Sequence, residues 1–144
     1  MMQKLYLLDT NIISELTKEV QNQNVVKKIF ETQKISALSS VTWAEALYGI
    51  KRLAEGKRKE NLSDFYINTV QSMYDFYDFD IHAASIYSDI KSRLEEIGKI
   101  PAELDLQIAS IAIANNLILV TRNVQDFVYI KECSALMIEN WFEE

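Results

Sequence analysis

The sequence predicts an α/β fold: a three-layer α/β/α sandwich around a central parallel sheet. Three observations predict it. Short apolar runs alternate along the chain with amphipathic runs of helical spacing, the order that builds βαβ units. The run Leu117–Val120 is apolar throughout, as in strands covered on both faces. The 144 residues include one proline and three glycines, so helical runs meet few breakers. The length suits a single domain spanning residues 1–144.

Taken in order, Lys4–Leu8 reads as a buried strand running into Asp9, and Asn11–Thr17 as a short helix. Asn24–Gln33 is a second helix, with Val25, Ile29 and Phe30 on one side. Ile35–Leu38 is a strand ended by Ser39 and Ser40, which suit a helix N-cap. Val41–Glu55 is helical, with Val41, Ala44, Tyr48 and Gly49 on one face and Gly56 as terminator. Lys59–Tyr74 continues as helix, and the alternation in Asp75–Asp80 reads as a third strand. In His82–Ile97 the residues Ala83, Ile86, Ile90, Leu94 and Ile97 recur at helical spacing before Gly98. Ala102–Asn115 is the next helix, Leu117–Val120 the fourth strand, and Ala135–Ile138 a weaker last strand.

Composition narrows the chemistry. One cysteine (Cys133) and one histidine (His82) cannot build a Cys/His zinc site. Gly49, Gly56 and Gly98 stand too far apart for a phosphate-binding glycine loop. The lone cysteine, an N-terminus unlike a secretory leader and the lack of a long apolar run make a cytoplasmic, membrane-free protein the expectation. Carboxylates dominate, 21 Asp and Glu against 15 Lys and Arg, for a net charge of −6. A bound metal would therefore meet mainly oxygen ligands, which favours Mg²⁺ or Mn²⁺.

In open parallel sheets ligands bind beyond the carboxyl ends of the strands. That directs attention to Asp9, Ser39 and Ser40, Asp80, and Thr121-Arg122-Asn123. Asp9 either caps the following helix or faces a ligand. Glu45 lies on or beside the face of its helix expected to be buried, and taken alone reads as a boundary residue snorkelling to water. Asp105 shares a face with Ile108, Ala109 and Ala112, beside an expected core of Leu104, Ile108 and Ile111. With no Lys or Arg three or four residues away, it is either a helix cap or a carboxylate in need of a cation. Asp126 fits a capping box with Asn123 or an acidic position of the same site. Acids converging on one sheet edge repel one another, and a divalent cation removes that repulsion. His82 reads as structural, and the basic run Lys51, Arg52, Lys57, Arg58, Lys59 as a solvated helix end within reach of a phosphate backbone.

LLDTNIISEL, SSVTWAEALYGI, LDLQIASIAIANN and LVTRNVQDF, in this order and at these intervals, resemble the PIN-domain ribonucleases, and most closely the VapC-type toxins of bacterial toxin–antitoxin pairs. The closing ENW resembles a short ending common among them, so the likeness covers nearly the whole chain. The resemblance implies a PIN-like fold and a Mg²⁺-dependent endoribonuclease, with Mn²⁺ able to substitute. Asp9, Glu45 and Asp105 match the metal-holding acids. Asp126 matches a further acidic position, and Asn11, Thr121, Arg122 and Asn123 fall at polar, substrate-facing positions. Many relatives carry Asp where this chain has Asn123, which leaves the fourth acid undecided between the two. A divalent ion there activates water and offsets the charge developing on the phosphodiester. Glu45 would orient the water, leaving a 5′-phosphate and a 3′-hydroxyl. The resemblance further implies a structured RNA substrate such as tRNA or rRNA, a cognate antitoxin and a homodimer. Trp43, Tyr48 and Phe65 are candidates for partner-facing aromatics. A PIN-fold nuclease without a toxin role, or a non-catalytic binding protein, are the alternatives. A phosphoryl receiver domain fits poorly, because it needs adjacent acids after the first strand and a Lys after a later one, where this chain has Asp9-Thr10 and Thr121-Arg122.

Overall fold

A computed structural model describes residues 3–143. Among the described residues, five strands form one all-parallel sheet: β1 (Tyr6–Leu8), β2 (Ser36–Ser39), β3 (Asp75–Tyr77), β4 (Ile118–Val120) and β5 (Met137–Glu139), in the order β3-β2-β1-β4-β5. The chain builds outward from β1 to β3, then returns to the other side of β1 with β4. The strand order therefore reverses at the β1–β4 seam, where Tyr6, Leu7 and Leu8 align with Ile118, Leu119 and Val120. A crevice opens at the carboxyl end of such a reversal.

Each central strand is apolar on both faces because helices cover both. Leu7, Ala37 and Leu119 point into one core with α6 (Ile81–Glu96), α7 (Glu103–Ala114) and α8 (Val128–Glu132). Leu8, Leu38 and Val120 point into the other, with α1 (Thr10–Ile13), α2 (Gln23–Glu31), the inner side of α3 (Ser40–Lys51) and the segment around Tyr66 and Val70. The side-chain period of two along a strand produces this division. Trp141 closes the second core: it is fully buried, edge-on to Tyr6 at 5.3 Å between ring centroids, and its carbonyl accepts the Asn24 amide at 2.7 Å.

Several elements differ from the sequence expectation. Helix 59–74 is three pieces: α4 (Lys57–Phe65), a π turn (Tyr66–Val70) and α5 (Gln71–Met73). The wider turn sends Tyr66 and Val70 into the core together. Helix 41–55 stops at Lys51, and Gly56, at φ 149°, precedes α4 rather than ending α3. The expected strand 75–80 stops at Tyr77, because β2 offers only Ala37–Ser39 as partners. Asp80 caps α6 through the Ala83 N–H at 2.9 Å, which explains its place after a strand without any ligand. Thr10–Thr17 is one α turn followed by a 3₁₀ turn. Ala44 and Gly49, placed on one helix face with Val41, are exposed, as is Leu104, expected in the core; Tyr48, a candidate partner-facing aromatic, is exposed as well. Trp43 and Phe65, expected at a partner surface, are half-buried against Tyr66, with centroids 5.8 and 5.7 Å away.

Candidate active site

Asp9 follows β1 directly, and Thr121 follows β4 directly, so the reversal of strand order brings them side by side. Thr121 Oγ1 donates to Asp9 Oδ2 at 2.9 Å across 112 residues of sequence. Asp9 Oδ1 accepts the Thr10 N–H at 2.8 Å. Asp9 is thus a helix cap whose other oxygen is held by Thr121, so both carboxylate oxygens are fixed in position. Asn11 completes the bracket. Its carbonyl accepts the Arg122 N–H at 2.9 Å, and its amide lies 3.4 Å from Thr121 Oγ1 and 3.5 Å from Asp9 Oδ2. The Asn123 N–H reaches Thr121 Oγ1 at 3.1 Å. Thr121 has no exposed surface, and both ends of the Asn11 amide are engaged, so the two brace Asp9.

The other acids arrive from helices. Ser39 caps α3 through the Thr42 N–H at 2.9 Å, which fixes where that helix begins. Glu45 follows one turn later, half-buried, beside a groove of about 400 Å³ walled by Val41, Ala44, Tyr48 and Leu104. Asp105 lies in the first turn of α7; the helix starts at Glu103, so Asp105 is not its cap. Asp126 sits exposed in the first turn of the 3₁₀ helix Val124–Phe127. No capping box forms there, since Asn123 makes no side-chain cap and only its carbonyl accepts the Asp126 N–H at 3.0 Å.

The four carboxylates sense one another. Burial, then Asp9 and Asp126, push the Asp105 carboxyl up to about 6. Burial, then Asp9 and Asp105, raise Glu45. Burial raises Asp9 despite the Thr10 and Thr121 hydrogen bonds, and Asp126 adds to the rise. No Lys or Arg is ion-paired with any of the four among the described residues. Nor do three of these side chains converge closely enough to enclose an ion as they stand. The donor chemistry, an all-carboxylate set without a protein cation, fits a hard divalent metal.

One buried acid escaped the sequence reading. Glu15 is 3% exposed, ion-paired to Lys18 at 2.9 Å, and accepts the Asn22 N–H at 2.6 Å. Burial works to raise its carboxyl, but Lys18, the Asn22 N–H and the charge of Arg122 outweigh it and hold it low. Its role is to fold the segment after α1. From sequence, Glu15 and Lys18 read as an ordinary surface pair at i,i+3. His82 is exposed, as a structural or surface residue would be.

Residues 6–131 match the family model described as PIN domain. The chain belongs to the PIN-domain family. Within it the chain groups with the VapC ribonucleases. It is 30% identical to Ribonuclease VapC2 of Rickettsia felis over 138 residues, covering 95% of this chain and 98% of that one. It is 27% identical to the tRNA(fMet)-specific endonuclease VapC of Shigella flexneri, covering 94% and 97%. Among solved structures, FitAcB from Neisseria gonorrhoeae superposes with a TM-score of 0.87 at 29% identity, covering 97% of this chain and 100% of that one. VapBC2 from R. felis bound to a promoter DNA fragment superposes at 0.77 with 30% identity, covering 95% and 98%. The parallel sheet and its flanking helices are the PIN fold, and the VapC relatives make this PIN-domain chain an endoribonuclease. No helix among the described residues is long and apolar enough to cross a membrane.

Proposed function

We propose that this protein is a Mg²⁺-dependent endoribonuclease of a toxin–antitoxin pair, built as one domain, with Mn²⁺ able to replace Mg²⁺. The observation that carries the reading is the placing of Asp9, Glu45, Asp105 and Asp126 around the strand-order reversal, the first three raised by burial and then by neighbouring acids, and none ion-paired with Lys or Arg among the described residues. A structural role would not gather charges that repel. Asp9, Glu45 and Asp105 hold the ion, and Asp126 acts at one remove through water. When bound, the ion supplies an activated water and offsets charge developing on the phosphodiester. Glu45, raised by burial and carried on a helix, orients or deprotonates that water. Asn11 and Thr121 keep Asp9 in register. Arg122 and Asn123, both exposed, face the phosphate backbone of the RNA, with the Arg122 guanidinium steadied 4.4 Å from the Phe142 ring.

The name of the Shigella flexneri relative supports tRNA as a substrate class; rRNA loops offer the same structured single strands. The VapBC complex of R. felis supports an antitoxin partner for this chain. So does the exposed wall of Tyr48 (62%) and Leu104 (43%) beside Glu45, apolar surface suited to a segment laid over the groove or to a second copy of the chain. The test is cleavage of total tRNA and rRNA with Mg²⁺, with Mn²⁺ and with EDTA, beside Asp9→Asn. Cleavage is expected only with the metals and only in the wild type. Undiminished cleavage in EDTA would overturn the reading.

A further inference from the structure

Beside Asp105 and Asp126 opens a second cavity, of about 390 Å³, walled by Lys99, Ile100, Pro101 and Tyr129. That volume lies within the roughly 300–1,000 Å³ of small-ligand sites. It exceeds what an ion and its waters need. Tyr129 is 42% exposed, and Lys99 Nζ stands 4.7 Å from its ring centroid. Among the described residues Lys99 pairs with no carboxylate, although two acids share its cavity.

The lysine is not on a loose loop. Helix α6 ends with Gly98 at φ 70°, a left-handed position suited to glycine. The Gly98 N–H bonds the Glu95 carbonyl at 3.1 Å, and the Lys99 N–H bonds the Leu94 carbonyl at 2.9 Å. Both bonds seal the helix end and fix the backbone from which the Lys99 side chain leaves. Pro101 then limits the turn into α7. Tyr129 is held from the opposite wall by α8, whose Ile130 is fully buried.

A tethered ammonium over a part-exposed aromatic ring, adjoining a carboxylate cluster, matches the parts of a nucleotide. The ammonium, on its flexible four-carbon stem, moves off the ring to take the phosphate and leaves the ring to the base. We propose that this cavity is a nucleotide subsite: it binds the base next to the scissile phosphate by stacking on Tyr129, with Lys99 on that nucleotide's phosphate. The proposal rests on the nuclease reading for its substrate class and adds the residues that grip the RNA on the Asp126 side of the cut.

The test measures binding apart from cleavage. Fluorescence anisotropy follows single-stranded A6 and U6 RNA with Mg²⁺, in an Asp9→Asn background that cannot cut them. Tyr129→Ala is expected to weaken A6 binding by about tenfold, the range of one lost base–aromatic stack, and to erase the preference for A6 over U6. Tyr129→Phe should keep both. Lys99→Ala should weaken both RNAs and lower the salt dependence by about one phosphate contact, and Lys99→Arg should restore it. In cleavage-competent protein the same variants should raise KM more than they lower kcat. If Tyr129→Ala and Lys99→Ala bind both RNAs within twofold of the parent while wild type cleaves RNA, the subsite is overturned and the nuclease stands. If binding falls as expected but wild type cuts no RNA with any metal, the nuclease reading fails and the nucleotide subsite stands.

Discussion

The acidic cluster has two sides built on different principles. On the sheet side, Asp9 is almost fully buried and locked by Thr10, Thr121 and Asn11, whose own spare groups are tied to Arg122 and Asn123. On the helix side, Glu45, Asp105 and Asp126 accept no comparable hydrogen bonds and keep access to water. The difference separates two tasks. In the proposed site, a rigid carboxylate at the strand-order reversal would set where an ion sits, and carboxylates on helices would supply charge and adjust around it. A site locked on both sides would bury four like charges with no relief; one loose on both sides would not hold an ion in line with a phosphate.

The largest expected effect tests the loose side. Asp105→Asn should remove ribonuclease activity, yet the protein should melt no lower than wild type in EDTA, and slightly higher, because a repelled charge has gone. A lower melting temperature would mean that Asp105 is part of the scaffold, and the comparison would break.

Thr121→Val tests the locked side. The substitution keeps the shape but removes the hydroxyl that donates to Asp9 and accepts from Asn11 and the Asn123 N–H. Activity should fall by about 10–100-fold, the scale for groups that orient a metal ligand. Stability should also fall, by about 1–3 kcal/mol, because buried polar partners are left unsatisfied. Losing both properties marks the sheet side; losing activity alone marks the helix side. Chemical denaturation and single-turnover cleavage on the same preparations compare them directly.

The two sides also differed in how legible they were. Asp9 and Thr121 stood out because each ends an apolar strand, and strand ends at one edge converge in any parallel sheet. Asp105 stood out because its sequence neighbours offer no cation. The bracket formed by Asn11 did not show, since it depends on the exact approach of the loop after β4. In the sequence Asp80 ends an expected strand much as Asp9 follows one, but β3 is an edge strand that stops at Tyr77, and Asp80 starts a helix. Residues 66–70 kept an apolar rhythm that fits α and π turns alike, so the change in winding was invisible. The lining of the grooves was misjudged for a related reason. Leu104 is the kind of residue a core would hold, and only packing reveals that the core is already full at that position.

Asp126→Asn should have a smaller effect than either. Asp126 is exposed in the first turn of the 3₁₀ helix after β4, so in the proposed site it would meet the ion through water. Apparent Mg²⁺ affinity should drop about tenfold, the lower end for groups beyond the direct ligands, with maximal activity recovered at high Mg²⁺. A titration curve overlaying wild type would leave Asp126 with only a local role in the 3₁₀ turn and narrow the helix side to Glu45 and Asp105.

The smallest effect is the response of the metal-free protein to pH. Asp105 lies near 6 in the folded chain against 3.8 for the ordinary side chain, and Glu45 and Asp9 shift the same way. A raised carboxyl means that the folded state holds protons the unfolded state has released. Stability therefore rises as pH falls through about 6, and the gain is complete only near the ordinary value of 3.8. Glu15 works the other way, but its carboxyl is held below 4.5, so its ion pair survives down to pH 5. Between pH 7 and 5 the cluster should dominate. In EDTA the melting temperature should rise by about 2 °C, less than 1 kcal/mol at this chain length, since the side chains are partly screened by water. Asp105→Asn should flatten the rise. Saturating Mg²⁺ should reverse it, because protons then compete with the ion for the same oxygens. A wild-type protein whose melting temperature in EDTA falls steadily from pH 7 to 5 would show that the helix-side acids do not repel one another.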